Sequence, residues 1–595
     1  MLRGFRWQFV ALVFALILFI VAVTTRSNPQ PGPQPTAITE NTPTAAAENT
    51  PLPTETPIPA AEATQLPASI VDTVPTYREA LVGDVRRLNP LLRGLNPAED
   101  DITSLIFEGL VRTNQYGEPE PDLATDWVVA SNYIEYVFTL RRDVLWHDGT
   151  PFTARDVAFT MELLRDPNFP GDPEVGAFWQ TVETQVLDDY TVRFRLTQPL
   201  GSFLDALRVG ILPEHALSGT TAEMLIDHPF NLSPIGTGPY QREAIRTDDG
   251  SRITVVDLRA APVYAQRPEG QSGFGVERVR FQMYESFDDA LSALNSGNVD
   301  GLATRNRAQR LALLNLPDVT LHTKLEPTLG TLIFNWRRPE DSNTLNPFRE
   351  DRVRNALVRG ANRDSAVQRH MLNVAVPANN PLMPGSWAFA ADIGFPGYDP
   401  QTSLSELERV DLEVESEGAT EEPAASNPLD FSILVPEDPA LANLAAELAG
   451  QWGQIGLSVT VESEAPDAYR ERLKSGIFDM AIVELSLGNS ADPDVYSFWH
   501  QGQFPDGDNV SAVDDRRISE TLERARRDPF GLNRIEHYRD FQTAFVERSI
   551  AIPLYYPLYT YVVSERVDGV QLGFVGEPSD RLRNIREWTI ADTSQ

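Results

Sequence analysis

The stretch from Tyr136 to Leu164, YVFTLRRDVLWHDGTPFTARDVAFTMELL, specifies three local structures in succession and constrains the fold more than any other part of the chain. Tyr136, Phe138 and Leu140 alternate with Val137 and Thr139, the period-two pattern of a strand with one buried face. Asp148-Gly149-Thr150-Pro151 then demands a turn, because glycine accepts backbone angles that other residues avoid and proline fixes its own. A helix follows at once. Thr153 is placed to cap it, Asp156 supplies the reciprocal half of a capping box, and Val157, Met161 and Leu164 line one face. Strand, tight turn and amphipathic helix together predict an α/β domain.

At 595 residues the chain is long enough for two or three such domains. Its 85 acidic residues against 50 basic give a formal net charge of -35, which argues against nucleic acid or anionic lipid as a partner of the folded part. There is no cysteine, so no disulfide, thiol nucleophile or cysteine-ligated metal can form.

The first seventy residues read as targeting and tether. Arg3 and Arg6 precede an apolar run, Trp7 to Val23, that is broken only by Gln8 and closed by Arg26. We expect a signal-anchor helix over 7–25 with its N-terminus in the cytoplasm, cleavage between Ala22 and Ser27 being the alternative. Residues 26–75 are rich in Pro and Thr and almost free of aromatics, so they cannot bury enough apolar surface to fold. Such a linker reaches on the order of 100 Å at roughly 3 Å per residue if fully extended.

Further motifs punctuate the body. Asn89-Pro90 and Phe107-Glu108-Gly109-Leu110 bracket a short helix, and Pro234-Ile235-Gly236-Thr237-Gly238-Pro239-Tyr240 lacks the context of a phosphate-binding loop. Phe287 to Leu294 reads as a helix ending at Ser296-Gly297, Thr331 to Trp336 as a strand, and Asp351 to Ala361 as a helix whose Arg352, Arg354 and Arg359 form a solvated or salt-bridged face. An acidic, aromatic-free run from Ser403 to Pro428 reads as a solvated insertion. No H-E-x-x-H, G-x-S-x-G or Walker sequence occurs.

The segment Trp146-His147-Asp148-Gly149-Thr150-Pro151-Phe152-Thr153-Ala154-x-Asp156-Val157 resembles the signature of the family 5 extracellular solute-binding proteins, the oligopeptide-, dipeptide- and nickel-binding components of ABC importers. The FEGL, GTGPY, Asp351-x-Val353-Arg354 and Pro553-Leu554-Tyr555-Tyr556 elements resemble the same family. The resemblance implies an α/β, periplasmic-binding-protein-like fold with two lobes and a third, smaller domain. Lobe I would comprise 76–115, 232–325 and 545–590, the middle domain 116–231, and lobe II 326–544 with the acidic insertion at 401–428. It further implies a monomer, without cofactor and without catalysis, working on the extracytoplasmic side. Such a protein captures a small-molecule or peptide ligand and delivers it to ABC permease subunits. Oligosaccharides and metal chelates remain open as ligands, and a tethered sensor or peptide chaperone without transport is the alternative role.

Many relatives are lipoproteins anchored by a cysteine, which this chain lacks. In peptide-binding relatives the strand and loop matching Glu484 to Trp499 present a tryptophan and then an aspartate that holds the peptide's α-amino group. Matching through Asp492-Pro493-Asp494 puts Ser486 at the tryptophan and Asn489 at the aspartate, flanked by Leu485 and Leu487. An amide cannot form the ion pair that a desolvated ammonium requires. The resemblance also suggests Asn89, Asn335 and Trp387 as ligand contacts, although Asn89 reads first as a turn former.

Overall fold

The computed structural model describes residues 74–266, 273–337, 346–410, 430–487 and 490–591. The expected anchor over 7–25, most of the linker over 26–75, most of the acidic insertion and Asn489 lie outside the described residues. Among the described residues no helix is long and apolar enough to cross a membrane.

The signature segment folds as its residues dictate. Glu135–Leu140 is an inner strand of a four-stranded antiparallel sheet, between Ala124–Val129 and Thr191–Leu196, with Val182–Asp188 at the far edge. Gly149 takes a φ of +89° in the turn. Thr153 Oγ1 accepts the Arg155 N–H at 3.3 Å while Asp156 Oδ2 accepts the Thr153 N–H at 2.8 Å, the two halves of the capping box over Ala154–Arg165. Such a cap contributes about 1 kcal/mol. Tyr136, Phe138 and Phe194 point inward with Trp179 and Phe203, and this core is continuous with that of the adjoining lobe.

The rest of the body is organised on one mixed, twelve-stranded sheet among the described residues. From one edge it runs through Ser458–Glu464, Asp430–Pro436, Met480–Ser486 and Thr328–Phe334 to Ala551–Ser564. It continues through Gly301–Thr304, Thr76–Val82, Arg278–Tyr284 and Ile253–Ala260 to Tyr240–Thr247. Helices such as Phe287–Asn295 and Pro439–Gly453 cover its faces, and a separate core of Leu, Ile, Val and Phe side chains fills the 328–556 half.

Ala551–Ser564 belongs to both halves. Ala551–Tyr555 pairs with Thr328–Phe334, and Thr560–Val563 pairs with Gly301–Thr304. The strand reads as one apolar run, IPLYYPLYTYVV, and nothing in its pattern marks the change of lobe. At the change, Pro557 O accepts the Glu326 N–H at 3.0 Å, and Glu326 is where the chain passes from Val319–Leu325 to Thr328–Phe334. The two crossings are thus bonded to each other.

Two expectations are corrected. The stretch from Pro400 is not solvated loop at first: Pro400–Leu407 is a helix, capped by Asp399, whose Oδ1 accepts the Thr402 N–H at 3.0 Å. Its Ser403 is buried and donates to Ala356 O at 2.6 Å. A strong cap followed by proline at the first helical position outweighs the acidic composition that follows. Arg354 pairs with Asp351, as a salt-bridged face requires, but it is not on a wet face. It is fully buried over the Trp336 ring, 4.0 Å from its centroid, and donates to the Phe348, Arg548 and Ser549 carbonyls, so it serves chain ends inside the lobe.

Candidate functional site

The site grows from the end of the Met480–Ser486 strand. Its pairing with Thr328–Phe334 sets Leu485 opposite Leu329 and Ser486 opposite Thr328. Leu485 and Leu487 then line an apolar pocket of about 30 Å³ with Leu329, Met383 and Trp499, and Phe574 reaches it from the C-terminal segment. That volume admits one or two water-sized groups, the scale of a small alkyl branch. Among the described residues no Asp, Glu, Lys, Arg or His lines it. Tyr556 is the one titratable side chain in its wall; its hydroxyl donates to Asn380 O at 2.7 Å and Leu382 O at 2.9 Å, and burial pushes its phenol above the usual range.

Beyond Leu487, whose N–H donates to Pro327 O, the loop resumes at Ser490. Ser490 Oγ donates to Asp205 Oδ2 of the middle domain at 2.8 Å, tying the loop across the interface. Asp492 is buried and takes a two-pronged bond from Arg534, at 2.5 and 2.7 Å. Arg534 also donates to Gly201 O, Ala525 O and the Tyr538 hydroxyl at 3.0 to 3.1 Å. A buried carboxylate with so complete a partner is an anchor for the loop and not a free ligand for solute. On the other side of the same strand, Arg307 reaches from the first lobe to Asp438 Oδ2 at 2.6 Å and to Glu484, which also accepts from the Tyr555 hydroxyl at 2.8 Å.

The middle domain is itself clamped by the signature turn. His147 Nδ1 accepts the Gly236 N–H at 3.2 Å, His147 Nε2 donates to Gly238 O at 2.9 Å, and the His147 N–H donates to Gly236 O at 2.9 Å. The ring is therefore neutral, and burial lowers its pKa to about 4. Glycine is required at 236, where a Cβ would lie 1.8 Å from Ile106 O.

The model described as "Bacterial extracellular solute-binding proteins, family 5 Middle" matches residues 118–530. The chain belongs to this family. The dipeptide-binding protein of Escherichia coli K12 is 22% identical over 477 residues, covering 77% of this chain and 84% of that protein. Among solved structures, NikZ from Campylobacter jejuni in complex with Ni(L-His) superposes with a TM-score of 0.61 at 24% identity, covering 86% of this chain and 99% of that one. CtaP of Listeria monocytogenes, an ABC transporter substrate-binding protein, gives a TM-score of 0.69 at 20% identity, covering 87% and 100%. This family 5 protein is thus a solute-binding component of the ABC importer type, from a family that works outside the cytoplasm on peptides or related solutes.

Of the residues singled out in the sequence of this solute-binding protein, the structure brings Leu485 and Leu487 together in the pocket wall, while Ser486 between them is exposed and Asn489 lies outside the described residues. The others serve internal networks. Asn89, 3% exposed, caps the Pro90–Leu92 turn by accepting the Leu91 N–H at 3.0 Å and donates to Asn231 Oδ1 at 3.1 Å. Asn335 donates to Gly476 O and Phe478 O at 3.0 and 2.7 Å. Trp387 covers the Arg534 guanidinium, 5.1 Å from its ring centroid, and meets Tyr538 edge-on. Sequence reasoning missed Asp205, Arg534 and Phe574. Only Asp492 hinted at Arg534, since a carboxylate in an apolar context calls for a cation.

Proposed function

We propose that the protein captures a peptide-like solute between its lobes, gripping an apolar side chain, and delivers it to ABC permease subunits while residues 7–25 hold it to the outer face of a membrane. The observation that carries this reading is the charge-free pocket at Leu485 and Leu487, walled by Phe574 from the other side of the interface. Burial of one alkyl branch there contributes about 1.5 to 3 kcal/mol, with no ionic requirement. Similarity to a dipeptide-binding protein supports a peptide, and Asn489 and Ser486 support a departure from selection through a free N-terminus. The test is mass spectrometry of solute retained by protein purified from its native host. The expected result is a set of peptides enriched in Val, Leu or Ile at one position; a glycan or a metal chelate would refute it.

A further inference from the structure

A second cavity, of about 170 Å³, lies where the end of the Pro97–Ile106 helix, the Val111–Thr113 strand and the C-terminal segment around Pro578–Leu582 converge. Among the described residues its wall shares none with the pocket at Leu485 and includes none from 326–544. Five arginines and five carboxylates line it. Most are matched within the protein: Glu577 takes both Arg93 and Arg208, and Arg583 Nη2 meets Asp580 Oδ1 at 2.6 Å.

Two buried atoms in that wall are not matched. Asp122, 7% exposed, has an Oδ1 that accepts no hydrogen bond, the Arg112 guanidinium standing 4.0 Å away. Arg583 Nη1 likewise has no acceptor, although Nη2 of the same group is fully engaged. Beside Asp122, Glu108 is also buried and accepts from the Tyr264 hydroxyl at 2.8 Å. Burial and then the neighbouring Glu108 charge push the Asp122 carboxyl upward, against the opposing pull of Arg112, Arg586 and Arg141. Buried polar atoms are nearly always partnered, so a missing cation and a missing anion in one wall define what the cavity lacks.

We propose that this cavity is a second ligand site that takes a small zwitterionic amino acid, its ammonium set against Asp122 and Glu108 and its carboxylate on Arg583. Size agrees with the charge pattern. A cavity of about 150 Å³ admits benzene, so this one takes a ligand of roughly six non-hydrogen atoms, such as glycine or alanine. The balanced wall selects against singly charged molecules, because either half alone leaves the other buried charge uncompensated.

Isothermal titration of the full chain with glycine and alanine, and separately with methylammonium and acetate, tests this. Both amino acids bind, and each half-molecule binds about tenfold more weakly or worse. Asp122→Asn, close to isosteric, weakens glycine about tenfold and leaves retention of apolar peptides unchanged. Arg583→Gln has the same effect on glycine, and circular dichroism of that variant checks that the loss is not unfolding, since Arg583 also holds Phe574 O. The proposal is overturned by no heat from either amino acid at millimolar concentration, by equal binding of methylammonium, or by a glycine-soaked crystal with only water beside Asp122. Peptide retention is read on the same samples, so its failure refutes the proposed function without touching the glycine result.

Discussion

Acidification should weaken this protein through one imidazole, and the size of the effect follows from the clamp at His147. In the folded state the ring accepts from Gly236 and donates to Gly238, so a second ring proton would remove the acceptor and place a charge in a buried site. Its folded pKa is lowered to about 4 from 6.5, with desolvation as the main cause. Between those values the unfolded chain binds the proton and the folded chain does not. Stability is therefore undiminished above pH 6.5, falls as pH drops through the window, and levels off below pH 4. The linkage relation gives a loss of about 1.4 kcal/mol at pH 5.5 and about 3 kcal/mol at pH 4. Urea denaturation of wild type and His147→Gln at pH 7, 5.5 and 4 isolates the term, because other titrating groups are common to both. The variant is less stable at pH 7 and the gap narrows by those amounts on acidification. A gap that stays constant with pH would show that His147 is not the titrating group, and the clamp as described would be wrong.

Three further outcomes are expected. Leu487→Asp puts a carboxylate into the charge-free pocket and should weaken apolar peptides at least tenfold in titration calorimetry, with melting temperature nearly unchanged because Leu487 is only half-buried. Asn489→Asp should tighten peptides with a free α-amino group and leave N-acetylated ones unaffected; equal affinity across both sets would count against this loop as the site. Asp492→Asn leaves the Arg534 charge buried without its partner and should cost about 3 to 5 kcal/mol in denaturant unfolding, whereas Asp148→Asn, on the exposed His215 pair, should cost under about 1 kcal/mol.

What could be read in advance was local. The capping box at Thr153 and Asp156 and the strand at Tyr136 each rest on residues within a few positions of one another, and each folds as its chemistry requires. The acidic run misled because composition was averaged over a stretch whose first turn carries its own cap at Asp399. Arg354 misled for a related reason: a periodic charge on a helix reads as solvent-facing, yet the three carbonyls it serves come from Phe348, Arg548 and Ser549, two of them almost two hundred residues away. The pocket was half legible. Leu485 and Leu487 follow from the strand, but Phe574 and Asp205 enter through tertiary contacts that no spacing rule contains.

Those distant contacts also explain how the halves can grip. The crossings at Glu326 and Pro557 are bonded to each other, which confines the link between the lobes to one narrow line. Away from it, the described polar ties include Ser490 and Ala491 to Asp205, Gly201 to Arg526 and Arg534, Arg310 to Asn373, and Arg307 to Asp438 and Glu484. Several of these groups remain partly exposed, so water replaces their partners at little cost when they separate. The loop at Asp492, by contrast, is held by a buried pair within its own lobe and keeps its shape in either state. On the proposed function, separation at the interface would open the pocket without loosening its walls, and an apolar solute touching Leu487 and Phe574 would supply the burial that favours closure.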